Sequence, residues 1–253
     1  MKIIDLHCDT ISQLSIKGGS LLRNEMQFDI ERARNAKVSL QFFALFTNPR
    51  DSCTSLRQIL MQLDRFNREM ESCSDQAYHL IDSKDLQAED KEGKMACIIH
   101  LEGAECLGTD IEILRILYRC GLRSMGLTWN HRNLLADGGG EGDYASGLSR
   151  KGREIINQMD HMGIILDLAH ISYPAYFQAM ELYSKPVLVT HANARALCSH
   201  WRNLDDAQLR ILGEHGGVVG VTQVADFVRS EQATIDDMLE HIVYIANLIG
   251  VEH

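Results

Sequence analysis

Five side chains of the metal-binding kind follow short apolar runs in this sequence. His7 and Asp9 follow Lys2–Leu6, Glu102 follows Met95–Leu101, His170 follows Gly163–Leu168, and His191 follows Pro186–Thr190. His7 and Asp9 stand two apart on an expected strand, so their side chains share a face and can reach one ion. Glu102 directly after an apolar strand is costly to bury alone, and its ordinary explanation is an ion pair with an arginine. Taken singly, His170 and His191 read as satisfied core histidines. Taken together, three imidazoles and two carboxylates at equivalent strand ends make two sites with one shared carboxylate. Such donors suit zinc, with manganese, iron or cobalt as other candidates. A pair of ions about 3.5–4 Å apart acidifies a bridging water and polarises a carbonyl, which is metallohydrolase chemistry.

Those side chains need a scaffold that brings strand ends to one rim. The apolar runs are Lys2–Leu6, Val38–Phe46, Met95–Leu101, Leu122–Thr128, Gly163–Leu168, Pro186–Thr190 and Gly217–Thr222. Their continuous rather than alternating character suits parallel strands buried on both faces. Between them lie helical patterns: Leu56, Ile59, Leu60, Leu63, Phe66 and Met70; Ile113, Leu114, Leu117 and Tyr118; Ile155, Ile156, Met159 and Met162; and Met238, Leu239, Ile242, Val243, Ala246 and Ile249. Strand–helix alternation of this kind gives an α/β fold with right-handed crossovers. The expected architecture is a (β/α)8 TIM-type barrel of the metal-dependent hydrolase kind, lacking its eighth strand, with an open seven-stranded sheet as the alternative. In a barrel, the active site lies at the C-terminal ends of the strands, where the five donors fall.

The 253 residues include 25 Lys+Arg and 35 Asp+Glu, a formal charge of −10. That acidic balance argues against a nucleic-acid partner, which needs a basic face. The 45% apolar and 24% charged composition is that of a packed protein, and no apolar stretch is long enough to span a membrane. The start MKIIDLHCDT enters a strand with no secretory pattern. Seven cysteines without a CxxC pair fit a reducing cytoplasm, most of them as small buried hydrophobes. With only three prolines and no linker, residues 1–253 read as a single domain.

The segments IIDLHCDT, HLEGAE, GLTWN, DLAH, THANARALCSHWRN and the following LDD resemble the membrane (renal) dipeptidase family, including its soluble bacterial members. The likeness runs through nearly the whole chain in order and spacing. It implies a metallodipeptidase barrel with two zinc ions: His7 and Asp9 on one, Glu102 bridging both, His170 and His191 on the second. It places the arginine that holds the substrate carboxylate at Arg202, eleven residues after His191. A planar guanidinium suits that task, although the residues alone leave Arg195 an equal candidate. The implied partner is a small dipeptide; a homodimer is the assembly considered.

The sequence departs from the family pattern at two places. Where some members carry a substrate-contacting histidine, Trp129 stands here, as bacterial relatives also have it; His131 or Asn130 are the neighbouring candidates for that contact. The family's acid/base aspartate, in a GSDFDG-like segment ending an eighth strand, has no counterpart through His253, so the chain reads as about the first four-fifths of a family member. Alternatives are another metallohydrolase acting on an amide, a lactone or a deamination substrate, or an inactive metal-binding fragment. Gly138–Gly142 reads as a flexible rim loop, Asp167 as a ligand-orienting residue or a helix cap, Cys8 as barrel packing, His200 as a surface or supporting group, and Arg123, Arg132 and Arg153 as structural or solvated.

Overall fold

The computed structural model describes residues 2–88 and 91–253. Two compact units emerge, Met1–Met125 and Gly126–His253. In the first, β1 (Ile3–Cys8), α1 (Thr10–Lys17), α2 (Ile30–Asn35), β2 (Val38–Phe46), α3 (Ser55–Ser72), β3 (Ala77–His79), β4 (Met95–Glu102), α4 (Ile111–Arg119) and β5 (Leu122–Gly126) follow in order, Gly126 already opening the second unit. Strands β1 and β2, and β2 and β4, pair in parallel, with Cys8 opposite Phe43 and Phe46 opposite Glu102. The C-terminal ends of β1 and β4 therefore share one edge of this unit. All of β4 is buried, as a continuous apolar run requires. Against the sheet, α3 buries Ile59, Leu63, Phe66 and Met70 from its expected apolar face. Phe66 stacks 5.7 Å from Phe43, and each fully buried ring contributes roughly 2–3 kcal/mol through area removed from water.

The second unit holds α5 (Arg150–Met162), β6 (Ile165–Asp167), α6 (Tyr173–Leu182), β7 (Leu188–Ala192), α7 (Asp206–Glu214), β8 (Val218–Val221), α8 (Ala225–Val228) and α9 (Ile235–Ile249). Helix starts follow local chemistry: the Ser149 hydroxyl caps α5, and reciprocal capping boxes open α7 (Asp205/Gln208) and α9 (Thr234/Asp237). Strand β7 pairs in parallel with β6 and β8, and its register with β8 breaks between Val189 and Ala192. That irregularity falls on Thr190 and His191, and such breaks re-aim side chains.

All seven apolar runs form strands, with ends shifted by up to two residues. The three-residue β3 and the short helices α1 and α2 carry too little periodicity to stand out in the sequence. Helix α9 departs from its pattern. Its buried residues are Asp237, His241 and Ile245, whereas Leu239, Ile242 and Val243 are exposed. The reason is polar: His241 Nδ1 accepts from Ala194 N at 3.1 Å, and its Nε2–H donates to Val228 O at 2.9 Å, which fixes which face turns inward. Of the cysteines, Cys73, Cys97, Cys106 and Cys198 are buried, but Cys53 and Cys120 are exposed.

Candidate functional site

In the first unit, His7 Nε2 lies 3.7 Å from Asp9 Oδ2 and 3.8 Å from Glu102 Oε2. The route to this proximity differs from strand alternation. Strand β1 ends at Cys8, and Asp9 already occupies the N-cap position of α1, with φ −90° and ψ 12°. The chain's turn into the helix brings the carboxylate back to the imidazole. Glu102, the last residue of β4, is 6% exposed. Beside it in the chain, fully buried His100 bonds Ser124 Oγ through Nδ1 at 3.0 Å, and its ring meets His7 edge-on at 6.2 Å. Cys8 sits in surroundings that push its thiol up to about 12, because burial disfavours the thiolate; it is a packing group.

In the second unit, the Nε2 atoms of His170 and His191 face each other at 2.7 Å. Their Nδ1 atoms are engaged elsewhere: His170 Nδ1 with Asn130 Oδ1 at 2.7 Å, and His191 Nδ1 with Thr190 Oγ1 at 2.9 Å. The carbonyl oxygen of Asn130 can only accept, so His170 carries its proton on Nδ1. Thr190 donates its own hydroxyl proton to Asp167 Oδ2 at 2.8 Å, so it accepts from His191 Nδ1–H. Both Nε2 atoms therefore face the same space, an arrangement that a bound cation would suit. The donors fit zinc. His170 also holds a left-handed backbone, φ +66°, uncommon for a residue with a side chain and typical of over-determined functional positions.

His170 opens onto a cavity of about 470 Å³ whose walls include Tyr173, Arg195, Trp201, Arg202 and Gln208. Arg202 is 5% exposed; its Nη2 donates to His191 O at 3.2 Å, and its guanidinium lies 5.6 Å from the centre of the Phe227 ring. Arg195 lines the same cavity but spends its Nε on Asn203 O and its Nη2 on Trp201 O. The buried Ser172 hydroxyl, also in the wall, has no hydrogen-bond partner among the described residues. Trp129 stacks 6.1 Å from His170, whereas His131 is exposed, 6.0 Å from Trp129. His200 packs on Phe227 at 4.4 Å and accepts from Arg202 N, and burial together with the Arg202 charge holds it below the usual histidine value. Arg132 is structural: it forms a two-pronged pair with Asp137, whose carboxyl is held below its ordinary range by that contact.

The glycine segment is not a loose loop at its start. Gly138 is buried and bridged to Ile171, Gly139 N donates to His170 O at 2.6 Å, and Gly140 N donates to Asn130 O at 2.8 Å. Thr190 and Ser124 are the residues that sequence reasoning passed over. A threonine next to a histidine carries no signal until the hydrogen bonds are known.

Comparison with solved structures defines the fold class: a parallel α/β barrel, in which the seven apolar runs are the barrel strands. A metallo peptidase from Rhodobacter sphaeroides, liganded with a phosphinate mimic of the dipeptide L-Ala-D-Ala, superposes with a TM-score of 0.91 at 21% identity, over 99% of this chain and 83% of that one. The chain belongs to the membrane dipeptidase family (peptidase family M19), whose model matches residues 1–253. An uncharacterized dipeptidase of Schizosaccharomyces pombe is 32% identical, over 100% of this chain and 67% of that protein. Dipeptidase tcpJ of Claviceps purpurea is 31% identical, over 79% of this chain and 48% of its own length. The chain thus spans about half to two thirds of the length of these curated relatives. Among the described residues, no helix is long and apolar enough to cross a membrane.

Proposed function

We propose that this protein is a zinc-dependent dipeptidase in which His7, Asp9, Glu102, His170 and His191 hold two zinc ions and Arg202 receives the substrate carboxylate. The observation that carries this reading is the shared cavity: an imidazole oriented as a metal ligand and a buried guanidinium line the same 470 Å³ space. Bound zinc supplies an acidified water and polarises the scissile carbonyl. The protein's own part is to place the dipeptide. The Arg202 fork holds the terminal carboxylate bidentately, while its bond to His191 O fixes it relative to the ligand strand. Trp201 and Tyr173 give the cavity apolar walls for the C-terminal side chain, and the Ser172 hydroxyl offers a further polar contact. Trp129 shields His170 from the side. Glu102 would be the carboxylate shared by the two ions when they are bound. The L-Ala-D-Ala mimic bound by the Rhodobacter relative supports a D-residue at the substrate's C-terminal position.

The test is a dipeptide panel with L- and D-residues at the C-terminal position, assayed before chelation, after it, and after zinc is restored. Hydrolysis that chelation abolishes and zinc recovers is expected, together with a large loss in Glu102→Gln. Full activity in Glu102→Gln, or turnover indifferent to chelator, refutes it. If a neutral amide or lactone is preferred instead, the chain is a different metallohydrolase on the same donors.

A further inference from the structure

Metal-binding imidazoles need one ring nitrogen bare and aimed, and the structure shows how two of them are set from behind. Asp167 is the last residue of β6 and only 2% exposed. Its Oδ1 accepts from Ala169 N at 3.0 Å and Thr190 N at 2.9 Å, replacing strand acceptors where β6 stops. Its Oδ2 is left for the Thr190 hydroxyl at 2.8 Å. A carboxylate can only accept, so the hydroxyl proton must point at Asp167. The Thr190 oxygen can then only accept from His191, which forces the Nδ1–H tautomer and bares Nε2. Asn130 does the same for His170 with its carbonyl oxygen at 2.7 Å, and Asn130 is itself held by Gly140 N on its backbone oxygen.

We propose that Asp167, acting through Thr190, and Asn130 are positioning residues that lock His191 and His170 in their Nδ1–H tautomers so that both Nε2 lone pairs face one cation. This rests on the metal-centre reading above but not on the identity of the substrate.

Asp167→Asn is the decisive variant, because it keeps shape and reverses the relay. The two backbone N–H groups hold the amide oxygen at the Oδ1 position, which turns the NH2 towards Thr190. Thr190 then accepts from Asn and donates to His191 Nδ1, so His191 must carry its proton on Nε2, where a metal would bind. Three proteins, Asp167→Asn, Thr190→Val and Thr190→Ser, are compared with the unaltered chain by zinc titration against a chromophoric chelator. Imidazole nitrogens are read in the metal-free proteins by 15N NMR. The expected result is an affinity loss of roughly 10–100-fold for one zinc in Asp167→Asn and Thr190→Val, the usual range for removing such support. Thr190→Ser, which keeps the hydroxyl, recovers affinity to within a few-fold. The NMR signature moves from Nδ1–H to Nε2–H at His191 in Asp167→Asn alone. Urea unfolding of the metal-free proteins separates this from simple destabilisation, which would not be rescued by Ser together with a tautomer change. Unchanged zinc affinity in Asp167→Asn and Thr190→Val, or an Nε2–H His191 in the unaltered chain, overturns the proposal. Because the readout is metal affinity, failure of the dipeptide assay leaves it standing.

Discussion

Replacing Gly138 with alanine probes whether the glycine segment is part of the metal centre or only its border. A Cβ built at Gly138 lies 2.4 Å from Trp129 O and 2.5 Å from both Asn130 C and Asn130 O. These are backbone atoms and cannot swing away. Restoring ordinary contact requires the two segments to part by about 1 Å. Overpacking of that kind costs about 1–3 kcal/mol. The displaced segment carries Asn130, whose side chain stands 2.7 Å from His170 Nδ1. A 1 Å shift would stretch that bond to about 3.7 Å, beyond hydrogen-bonding reach. Gly138→Ala should therefore lower both the urea midpoint of the metal-free protein and zinc affinity, the latter roughly 10-fold or more. Gly142→Ala is the control. Its Cβ meets nothing within 4 Å, but its φ of +53° with ψ of −130° lies outside the left-handed helical well in a region that favours glycine, so backbone strain of about 1–3 kcal/mol is expected. Its stability should fall while zinc affinity stays unchanged. If Gly138→Ala unfolds within about 0.5 kcal/mol of the unaltered chain, a difference typical of neutral surface changes, and binds zinc equally, the link between the glycine segment and His170 is wrong.

Arg202→Ala should raise KM for dipeptides far more than it lowers kcat, while a substrate analogue amidated at its C-terminus should be insensitive to the change; equal effects on both substrates would remove the carboxylate role. Stability should also depend on pH through His79, which burial pushes down to about 4. Its folded-state value lies below the ordinary 6.5, so the unfolded chain takes up the proton first and the fold loses stability as pH falls from 6.5 towards 4. Between pH 7 and 5 this contributes a loss of about 2 kcal/mol. Urea titrations at the two pH values should show it in the unaltered protein and not in His79→Gln, and an equal slope in both would refute the assignment.

The strands were legible because fully buried parallel strands must be continuously apolar, and β2 and β4 are. The amphipathic core of α3 was legible for the same reason: its buried positions repeat at the helical period. The placement of acids and histidines near strand ends was legible too, since the strand ends follow from the apolar runs. What the sequence left open depends on contacts between residues far apart in the chain. The face that α9 buries is chosen by His241 bonding to Ala194 N and Val228 O, and no periodicity reports such bonds. On residue type alone Arg195 and Arg202 are equal; the fold bonds the first to the Asn203 and Trp201 carbonyls, and it buries the second and bonds it to His191 O. Residue type thus determined by itself the parallel α/β framework and the chemical class of the candidate donors, because burial and donor chemistry act position by position. Only tertiary structure decided which partners the two imidazoles meet, because Asp167 reaches Thr190 beside His191, and Asn130 reaches His170, through hydrogen bonds that span 23 and 40 residues.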